Sequence, residues 1–247
     1  MIDFHTHLDL YPDALAILPK VNELNKFTLA VTTSPRAWIA TSKVFSKYPL
    51  IKVALGLHPE IVEKKQEETS LFLDSIPKSK FIGEIGIDGS FRFSRTISLQ
   101  ESIFEQIIKK CGEVGGRIMS IHSRSAASKV LSILERFPSI GTTILHWFSG
   151  SIKELEIAVS LGCWFSVGPA MLDSRNGRLL ASKMPKGRIL PESDGPFATK
   201  HGQTIMPWEA IDITNELSKL WETTEDKARD ILFDNYEELL KTNNLEI

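Results

Sequence analysis

Met1-Ile-Asp-Phe-His-Thr-His7 opens the chain with an apolar run that carries two histidines two residues apart. Successive side chains of a β-strand alternate between its faces, so His5 and His7 would point to one side and Thr6 to the other. Two imidazoles held side by side are half of a metal site. The same spacing also occurs by chance in strands and turns. The stretch predicts a first strand and raises the question of which other residues complete a site.

The composition is that of a globular protein with a large core. The 247 residues are 42% hydrophobic and 24% charged, and the net charge is −2. Proteins that coat long duplex DNA usually carry a basic surplus, because their affinity comes from neutralising phosphates. This chain has no such surplus, so we expect any contact with nucleic acid to be local.

The two cysteines, Cys111 and Cys163, lie in apolar or glycine-rich settings, which favours reduced structural thiols over a disulfide. The protein is therefore predicted to be cytoplasmic. The N-terminus lacks the positive start and apolar run of a signal peptide. No stretch approaches the roughly 18 apolar residues of a membrane span, so no membrane association is expected.

Short apolar runs alternate with amphipathic segments along the chain. The predicted strands are 2–5, 27–32, 51–55, 81–85, 117–121, 142–145, 163–167 and 188–190. The predicted helices are 13–25, 35–48, 59–75, 97–114, 126–137, 152–161, 171–184, 208–220 and 224–241. This alternation indicates a parallel sheet, and eight repeats favour an α/β fold of the TIM-type (β/α)8 barrel class, with residues 1–247 as a single domain. An open doubly wound sheet is the alternative, but no G-x-G-x-x-G follows an early strand.

Five of the six histidines fall at or just past the carboxyl end of a predicted strand: His5, His7, His58, His122 and His146. Acidic residues occupy further strand ends: Glu84, Asp88, Glu192 and Asp194. Active sites of β/α barrels are built at the carboxyl ends of the strands, so these side chains are expected to converge. Each one alone is more often a solvated or hydrogen-bonded structural residue. Their joint placement predicts a metal site.

Six motifs, in this order, resemble those of the TatD family, which are metal-dependent hydrolases with an amidohydrolase-type barrel, many of them DNases. The motifs are His5-Thr-His7, Gly56-Leu-His-Pro59, Gly83-Glu-Ile-Gly-Ile-Asp88, Ile121-His-Ser-Arg124, Leu145-His-Trp-Phe-Ser-Gly150 and Pro191-Glu-Ser-Asp-Gly-Pro196. The runs HLDLYPD, HWFSGS, GCWFSVGPAML and SDGPFA further resemble the TatD-like member of the four-component Qat anti-phage defence systems. The resemblance implies a deoxyribonuclease that acts on single strands or 3′ ends of DNA, together with partner proteins encoded in a defence operon.

The resemblance also implies a ligand set in which Glu84 bridges two divalent ions. The remaining implied ligands are His5, His7 and Asp194 for one ion, and His122 and His146 for the other. Two ions roughly 3.5–4 Å apart can activate a water molecule and stabilise the charge that builds on phosphorus. Mixed imidazole and carboxylate ligation suits zinc or manganese, whereas magnesium tolerates imidazole poorly. The sequence leaves open the choice between Zn, Mn and Mg, and whether two or three ions bind.

Other residues near these motifs have candidate roles in catalysis. Asp194 could accept a proton from the attacking water as a general base. Glu192 could orient Asp194 or a substrate group. His58 is assigned to substrate or leaving-group contact, the alternative being a histidine that packs under Pro59. Asp88 either supports a histidine ligand or caps a turn.

Phosphate recognition has candidates after two of the strands. Ser149 and Gly150 open a predicted helix, and their backbone N–H groups could meet an anion there. Arg124 could add a bidentate contact. The alternative is an ordinary capped turn and a solvated arginine. Three aromatic residues could stack a base, although such residues more often belong to the core: Trp147, Phe148 and Phe197.

One departure from the family pattern lies in the loop 197–207, where an arginine-rich loop is usual. Lys200 and His201 could replace the missing contact, or the substrate could differ. Two other functions therefore stay open: an esterase or amidase acting on modified nucleotides or aminoacyl-RNA, and a mainly protein-binding subunit of a defence complex.

Overall fold

The computed structural model describes residues 1–245 and contains all eight predicted strands. Each strand begins and ends within one residue of its predicted limits. The strands are β1 (Ile2–Thr6), β2 (Phe27–Val31), β3 (Ile51–Ala54), β4 (Phe81–Gly86), β5 (Arg117–His122), β6 (Gly141–His146), β7 (Trp164–Val167) and β8 (Ile189–Pro191). Short apolar runs bounded by turn residues were sufficient to locate them.

The α-helices lie between and after these strands. They are α1 (Ala14–Leu24), α2 (Pro35–Phe45), α3 (Val62–Lys65), α4 (Thr69–Ser75), α5 (Ile97–Glu113), α6 (Ala127–Glu135), α7 (Ile152–Ser160), α8 (Pro169–Asp173), α9 (Arg175–Lys183), α10 (Ile213–Leu220) and α11 (Glu225–Thr242). Short 3-10 segments, including Phe91–Thr96 and Pro207–Asp212, join several of them.

The strands pair in sequence order. One sheet has the order β1-β2-β3 and a second has the order β4-β5-β6-β7-β8. The pairs β1/β2, β4/β5, β5/β6 and β7/β8 are parallel, and Leu55 forms a parallel bridge with Ile82. Helices that separate parallel neighbours are the connections such a sheet requires.

The chain divides into two compact units. Unit 1 comprises Met1–Ala30, Phe45–Lys52 and the chain from Phe165 onward; unit 2 comprises Val31–Val44 and Val53–Trp164. The prediction of a single domain stays a prediction.

In unit 1, the two faces of β1 have different environments. The Phe4 ring lies 4.7 Å from that of Phe27, and the Phe27 ring lies 5.6 Å from Tyr236 of α11, as measured between ring centroids. Phe4 and Phe27 are fully buried, so this face anchors the last helix on the sheet by apolar burial. Asp3 and His5 lie on the other face.

In unit 2, α5 buries an apolar face that carries Ile103, Phe104, Ile107 and Cys111. The spacing of these residues is helical and matches the sequence prediction. The polar residue Gln100 is also buried, one turn before them. It contacts the candidate site described below.

Three predicted helices are divided. The predicted helix 208–220 consists of the 3-10 segment Pro207–Asp212 followed by α10. The segment 59–75 is a series of short 3-10 and α segments, within which the buried Glu68 carboxylate accepts hydrogen bonds from the Arg36 amide (3.1 Å) and the Lys65 ammonium (2.8 Å). The segment 171–184 breaks at Ser174, whose hydroxyl caps α9 by accepting the Gly177 N–H at 2.8 Å.

The loop 197–207 contains an antiparallel hairpin that the sequence did not predict, β9 (Thr199–Lys200) and β10 (Gln203–Thr204). The two turn residues, His201 and Gly202, have φ values of 52° and 77°. Positive φ at both positions suits the tight turn of a two-residue hairpin.

Cys111 and Cys163 are buried and form no disulfide within residues 1–245, as predicted. Burial raises the pKa of the Cys111 thiol to about 12. None of the helices in residues 1–245 is long and apolar enough to cross a membrane.

Gly56 generates the first prediction. A Cβ at this position would lie 1.6 Å from the Thr32 carbonyl oxygen and 2.8 Å from the Glu84 amide nitrogen, both backbone atoms of unit 2. We expect Gly56→Ala to lower the free energy of unfolding in urea by about 3 kcal/mol or more, because the backbone itself must move.

Gly162→Ala is the matched control. Gly162 has a positive φ of 80°, which Gly56 does not, but nothing lies within 4 Å of a Cβ there. Only the cost of the left-handed conformation, about 1 kcal/mol, should appear. Equal losses in the two variants would contradict the steric argument.

Candidate metal centre

Glu84 is surrounded by imidazoles in unit 2. Its Oε1 lies 2.7 Å from His122 Nδ1 and 3.3 Å from His146 Nε2, and its Oε2 lies 3.1 Å from His58 Nε2. The side chain is 1% exposed. Burial of a carboxylate is costly unless it is paired, and these three rings are its partners. We call His58, Glu84, Asp88, His122 and His146 the Glu84 group.

The backbone around Glu84 is held on both sides. Its N–H donates to the Thr32 carbonyl at 3.1 Å, and its carbonyl accepts the Leu57 N–H at 3.0 Å. The Thr32 N–H donates in turn to the Gly83 carbonyl at 3.1 Å. Since rigid strand ends fix a side chain more tightly than a loop does, the Glu84 carboxylate is a pre-positioned candidate ligand.

His122, at the end of β5, lies between two carboxylates. Its Nδ1 faces Glu84 and its Nε2 lies 2.8 Å from Asp88 Oδ2. Burial lowers the pKa of His122, but the contacts with Asp88 and Glu84 outweigh it and raise the pKa to about 9. A position that stabilises a proton on this ring would also favour a divalent cation.

Asp88 has both roles that the sequence left open. One carboxylate oxygen lies against His122, and the other accepts the Ser90 N–H at 2.9 Å, which closes a turn. Burial raises the pKa of Asp88, but hydrogen bonds from His122 and Ser90 lower it to about 2. A carboxylate behind a histidine fixes the orientation of its ring.

The sequence assigned His58 to substrate contact, but its side chain also lies close to other candidate ligands. Its Nδ1 accepts the Glu60 N–H at 3.2 Å, so Nε2 is directed at Glu84. Ligand atoms of His58, Glu84 and His122 all lie within 4.8 Å of one another, a spacing that one cation can fill. The geometry is compatible with ligation as well as with substrate contact.

A second group lies in unit 1. His5 Nε2 is 3.6 Å and His7 Nε2 is 4.0 Å from the same oxygen of Asp194, Oδ1. The two rings point to the same side of β1, as predicted, with centroids 5.3 Å apart. All three residues are buried. We call His5, His7, Glu192 and Asp194 the β1/β8 group.

Asp3 fastens β1 to the segment after β8. Its carboxylate accepts hydrogen bonds from the Ser193 hydroxyl (2.6 Å), the Ser193 N–H (3.0 Å) and the His5 N–H (3.1 Å). Burial raises the pKa of Asp3 well above its usual value, and these hydrogen bonds oppose the rise. Glu192, fully buried, accepts a hydrogen bond from the Ser166 hydroxyl. Asp3 therefore fixes the position of β1, which carries His5, against the segment that carries Asp194.

The backbone is strained at two of the strand ends. Asp194 has a φ of 49°, and Trp147, directly after His146, has a φ of 37°. Aspartate tolerates this region, whereas a tryptophan there is unusual. Such strain concentrates at functional sites, where the surrounding structure holds it.

The predicted phosphate site at the start of α7 needs a correction. The Ser151 N–H is not open to an anion, because it donates to the Glu154 carboxylate at 2.7 Å, and the Ser151 hydroxyl accepts the Glu154 N–H at 3.3 Å. This capping box is the ordinary capped turn considered as the alternative. The roles of Ser149 and Gly150 stay predictions. Arg124 is exposed, as a phosphate contact requires.

The three candidate aromatic residues differ in exposure. Phe148 is 1% exposed and cannot stack a base, since it packs in the core. Phe197 is 64% exposed, and its ring centroid lies 5.0 Å from that of His7. Trp147 is partly exposed.

Sequence reasoning missed Asp3 and Gln100. Asp3 shares the strand face of His5 and His7, and this alternation could have identified it. Gln100 Oε1 accepts the Asp88 N–H at 2.7 Å. Its signal was a polar residue on the apolar face of α5, which does not by itself indicate a partner.

Each group offers imidazole nitrogens and carboxylate oxygens in a buried setting. This donor set fits zinc, manganese or iron, and the residues present therefore fit a divalent cation.

Comparisons with known proteins agree with this chemistry. A family model described as TatD related DNase matches residues 2–241. The chain is 27% identical to the uncharacterized metal-dependent hydrolase YjjV of Escherichia coli K12, with 95% of each chain covered. It is 29% identical to the 3′-5′ ssDNA/RNA exonuclease TatD of Edwardsiella piscicida, over 58% of this chain and 56% of that one. The chain thus matches just over half the length of that exonuclease.

Solved structures agree on the fold. The crystal structure of E. coli YjjV, a TatD homolog, superposes with a TM-score of 0.86 at 23% identity and covers 100% of this chain and 98% of that one. An uncharacterized amidohydrolase from Saccharomyces cerevisiae has a TM-score of 0.81 at 15% identity, covering 96% and 99%. These similarities confirm the predicted α/β fold with parallel sheets, of the TIM-type barrel class. Because the family match runs from β1 to the last helix, the chain belongs to the TatD-related DNase family of metal-dependent hydrolases.

Proposed function

We propose that the protein is a divalent-metal-dependent phosphodiesterase that degrades DNA from 3′ ends or along single strands. The observation that carries this proposal is the Glu84 carboxylate, buried and within 3.3 Å of three imidazoles. The similarity to the 3′-5′ ssDNA/RNA exonuclease TatD of E. piscicida supports an exonuclease, and the family match supports a DNase.

In this proposal the site would hold two divalent ions, or up to three, and Glu84 would be a ligand of two of them. The other ligands are His5, His7 and Asp194 for one ion, and His122 and His146 for the other. Bound ions of this kind supply positive charge that polarises the phosphoryl group and lowers the pKa of water. The mixed donor set favours zinc or manganese over magnesium.

The protein's own groups then position substrate and move the proton. Asp194 accepts the proton of the attacking water, and Glu192 helps to orient Asp194 or the substrate. His58 contacts the phosphate or the leaving oxygen. Asp88 holds the ring of His122. Phosphates of the strand meet the Arg124 guanidinium and the backbone N–H groups of Ser149 and Gly150.

We further propose that this activity serves anti-phage defence, with partner proteins encoded nearby, and that it takes place in the cytoplasm. The support is the resemblance of the runs HLDLYPD and SDGPFA to the TatD-like member of the Qat systems, together with the buried thiols.

Glu84→Gln tests the chemistry. We expect the rate of oligonucleotide hydrolysis with added manganese or zinc to fall more than about 100-fold, because the amide removes the negative charge shared by the two ions. The assay should follow the release of mononucleotides from labelled single strands, with aminoacyl esters as a parallel substrate panel.

Glu68→Gln is the matched control, since Glu68 is an equally buried carboxylate of unit 2 that pairs with Lys65 instead. The Glu68→Gln variant should hydrolyse oligonucleotides at close to the wild-type rate. Wild-type protein that hydrolyses esters but no phosphodiester in any metal would overturn the nuclease proposal.

Asp88→Asn tests the positioning of His122. The amide keeps the size of the side chain but loses the charge against Nε2, so we expect the affinity for zinc to fall about 10- to 100-fold in calorimetry. Glu154→Gln removes a capping carboxylate from α7 and should leave zinc affinity unchanged. Unaltered affinity in Asp88→Asn would contradict the positioning role of Asp88.

The defence role has its own test. In a bacterial host that carries the gene with its genomic neighbours, we expect Glu84→Ala to abolish any reduction in phage plating while protein levels stay constant. Full protection by this variant would favour a protein-binding role instead.

A further inference from the structure

The segment between β4 and α5 presents an unusual surface in unit 2. Residues 89–96 read Gly-Ser-Phe-Arg-Phe-Ser-Arg-Thr and contain two aromatic rings and two arginines without an acidic residue. Phe91 is 96% exposed, and Arg92 and Arg95 are also exposed. The Arg92 guanidinium lies 5.2 Å from the Phe93 ring centroid. We call residues 89–96 the Phe91 segment.

A single exposed apolar residue is ordinary, but this combination is not. Phe91 is the most exposed large hydrophobic side chain among residues 1–245. Within the same part of the chain, neither Arg92 nor Arg95 forms an ion pair with a carboxylate. An aromatic face beside two uncompensated positive charges fits a ligand that carries both flat rings and negative charge.

The segment is held in place by the Glu84 group. The Ser90 N–H donates to Asp88 Oδ1 at 2.9 Å, and the Asp88 N–H donates to Gln100 Oε1 at 2.7 Å. The Gln100 amide nitrogen donates to Thr96 Oγ1 at 2.9 Å. Gln100 therefore ties the far end of the segment to the residue that contacts His122.

A second tie joins the segment to the end of β5. The Gly89 N–H donates to the Arg124 carbonyl at 2.8 Å. Arg124 is a third exposed arginine in unit 2 without a carboxylate partner among residues 1–245. The backbone of Arg124 therefore lies beside the start of the Phe91 segment, although the net charge of the whole chain is −2.

Distance along the chain limits how far Phe91 lies from the Glu84 group. Phe91 is three positions after Asp88, so the two Cα atoms are at most about 11 Å apart. That span corresponds to roughly three stacked nucleotides at the spacing of one DNA strand.

We propose that the Phe91 segment is a binding site for single-stranded nucleic acid, in which Phe91 stacks on an unpaired base and Arg92 and Arg95 contact the flanking phosphates. The bases of a duplex are stacked within the helix, so their faces are not accessible to the ring. The segment selects single strands for this reason. The claim that the bound strand is a substrate rests on the proposed function, whereas the claim that the segment binds it does not.

Equilibrium binding of fluorescein-labelled oligothymidylate to the full chain in EDTA tests the site, because anisotropy then reports binding without hydrolysis. We expect Phe91→Ala to weaken binding about 5- to 100-fold. Phe91→Trp should bind at least as tightly as wild type, and the added tryptophan fluorescence should be quenched by stacking. The double variant Arg92→Ala, Arg95→Ala should reduce the slope of log K against log salt by about 1.4.

Two control variants remove similar side chains elsewhere. Leu15→Ala deletes an exposed apolar side chain of α1 that is 68% exposed, and Arg175→Ala deletes an exposed guanidinium at the start of α9. Both should bind oligothymidylate like wild type. The inference fails if Phe91→Ala binds as these controls do, or if a duplex of the same length binds as tightly as the single strand and with the same dependence on Phe91. The first result would leave a partner protein as the candidate ligand of the segment, and the second would show that the segment does not select single strands.

A separate assay keeps the two proposals apart. Hydrolysis of bis-para-nitrophenyl phosphate by wild-type protein with manganese tests phosphodiesterase chemistry without an oligonucleotide. If the protein hydrolyses this substrate but binds oligonucleotides equally well without the Phe91 ring, the proposed function is supported and the Phe91 inference is wrong. If it binds oligonucleotides through Phe91 but hydrolyses no phosphodiester, the inference is supported and the proposed function is wrong.

Discussion

The buried charge of Glu84 is the constraint on which the chemistry of unit 2 depends. A carboxylate that is 1% exposed must be compensated, and rings from the ends of β3, β5 and β6 lie against it. Imidazoles can give up a proton and bind a cation, whereas a guanidinium cannot. The choice of partners therefore distinguishes Glu84, a candidate metal ligand, from a structural ion pair such as that of Glu68 with Lys65.

Strand β1 has a different role on each of its two faces. Phe4 packs on Phe27 on one face, and Asp3 and His5 occupy the other. Because the side chains of a strand alternate, a shift of one residue would exchange the core for the ligands. The hydrogen bonds from Ser193 to Asp3 make such a shift costly, since they join the strand to the segment that carries Asp194.

The connections that follow these rigid strand ends carry the exposed residues that we propose to contact nucleic acid. The turn closed by Asp88 and Ser90 leads directly into the Phe91 segment, and the Arg124 carbonyl receives the Gly89 N–H. Binding residues on loops supported by a fixed scaffold are common in enzymes, because loops vary while the scaffold holds its geometry. In this protein the support is unusually direct, since Asp88 contacts both a candidate ligand and the loop.

The sequence by itself determined the order of the elements and the identity of the candidate ligands, because strand and helix periodicity and the position of polar residues at strand ends are local patterns. It left open whether Asp88 supports a ring or caps a turn, and the structure shows both contacts. It did not predict the inward turn of Glu68 or the hairpin that begins at Thr199, and it left open whether Phe148 lies in the core. These depend on partners that no local pattern names: Asp3 and Ser193 are 190 residues apart in sequence, and only the folded chain brings their side chains to 2.6 Å.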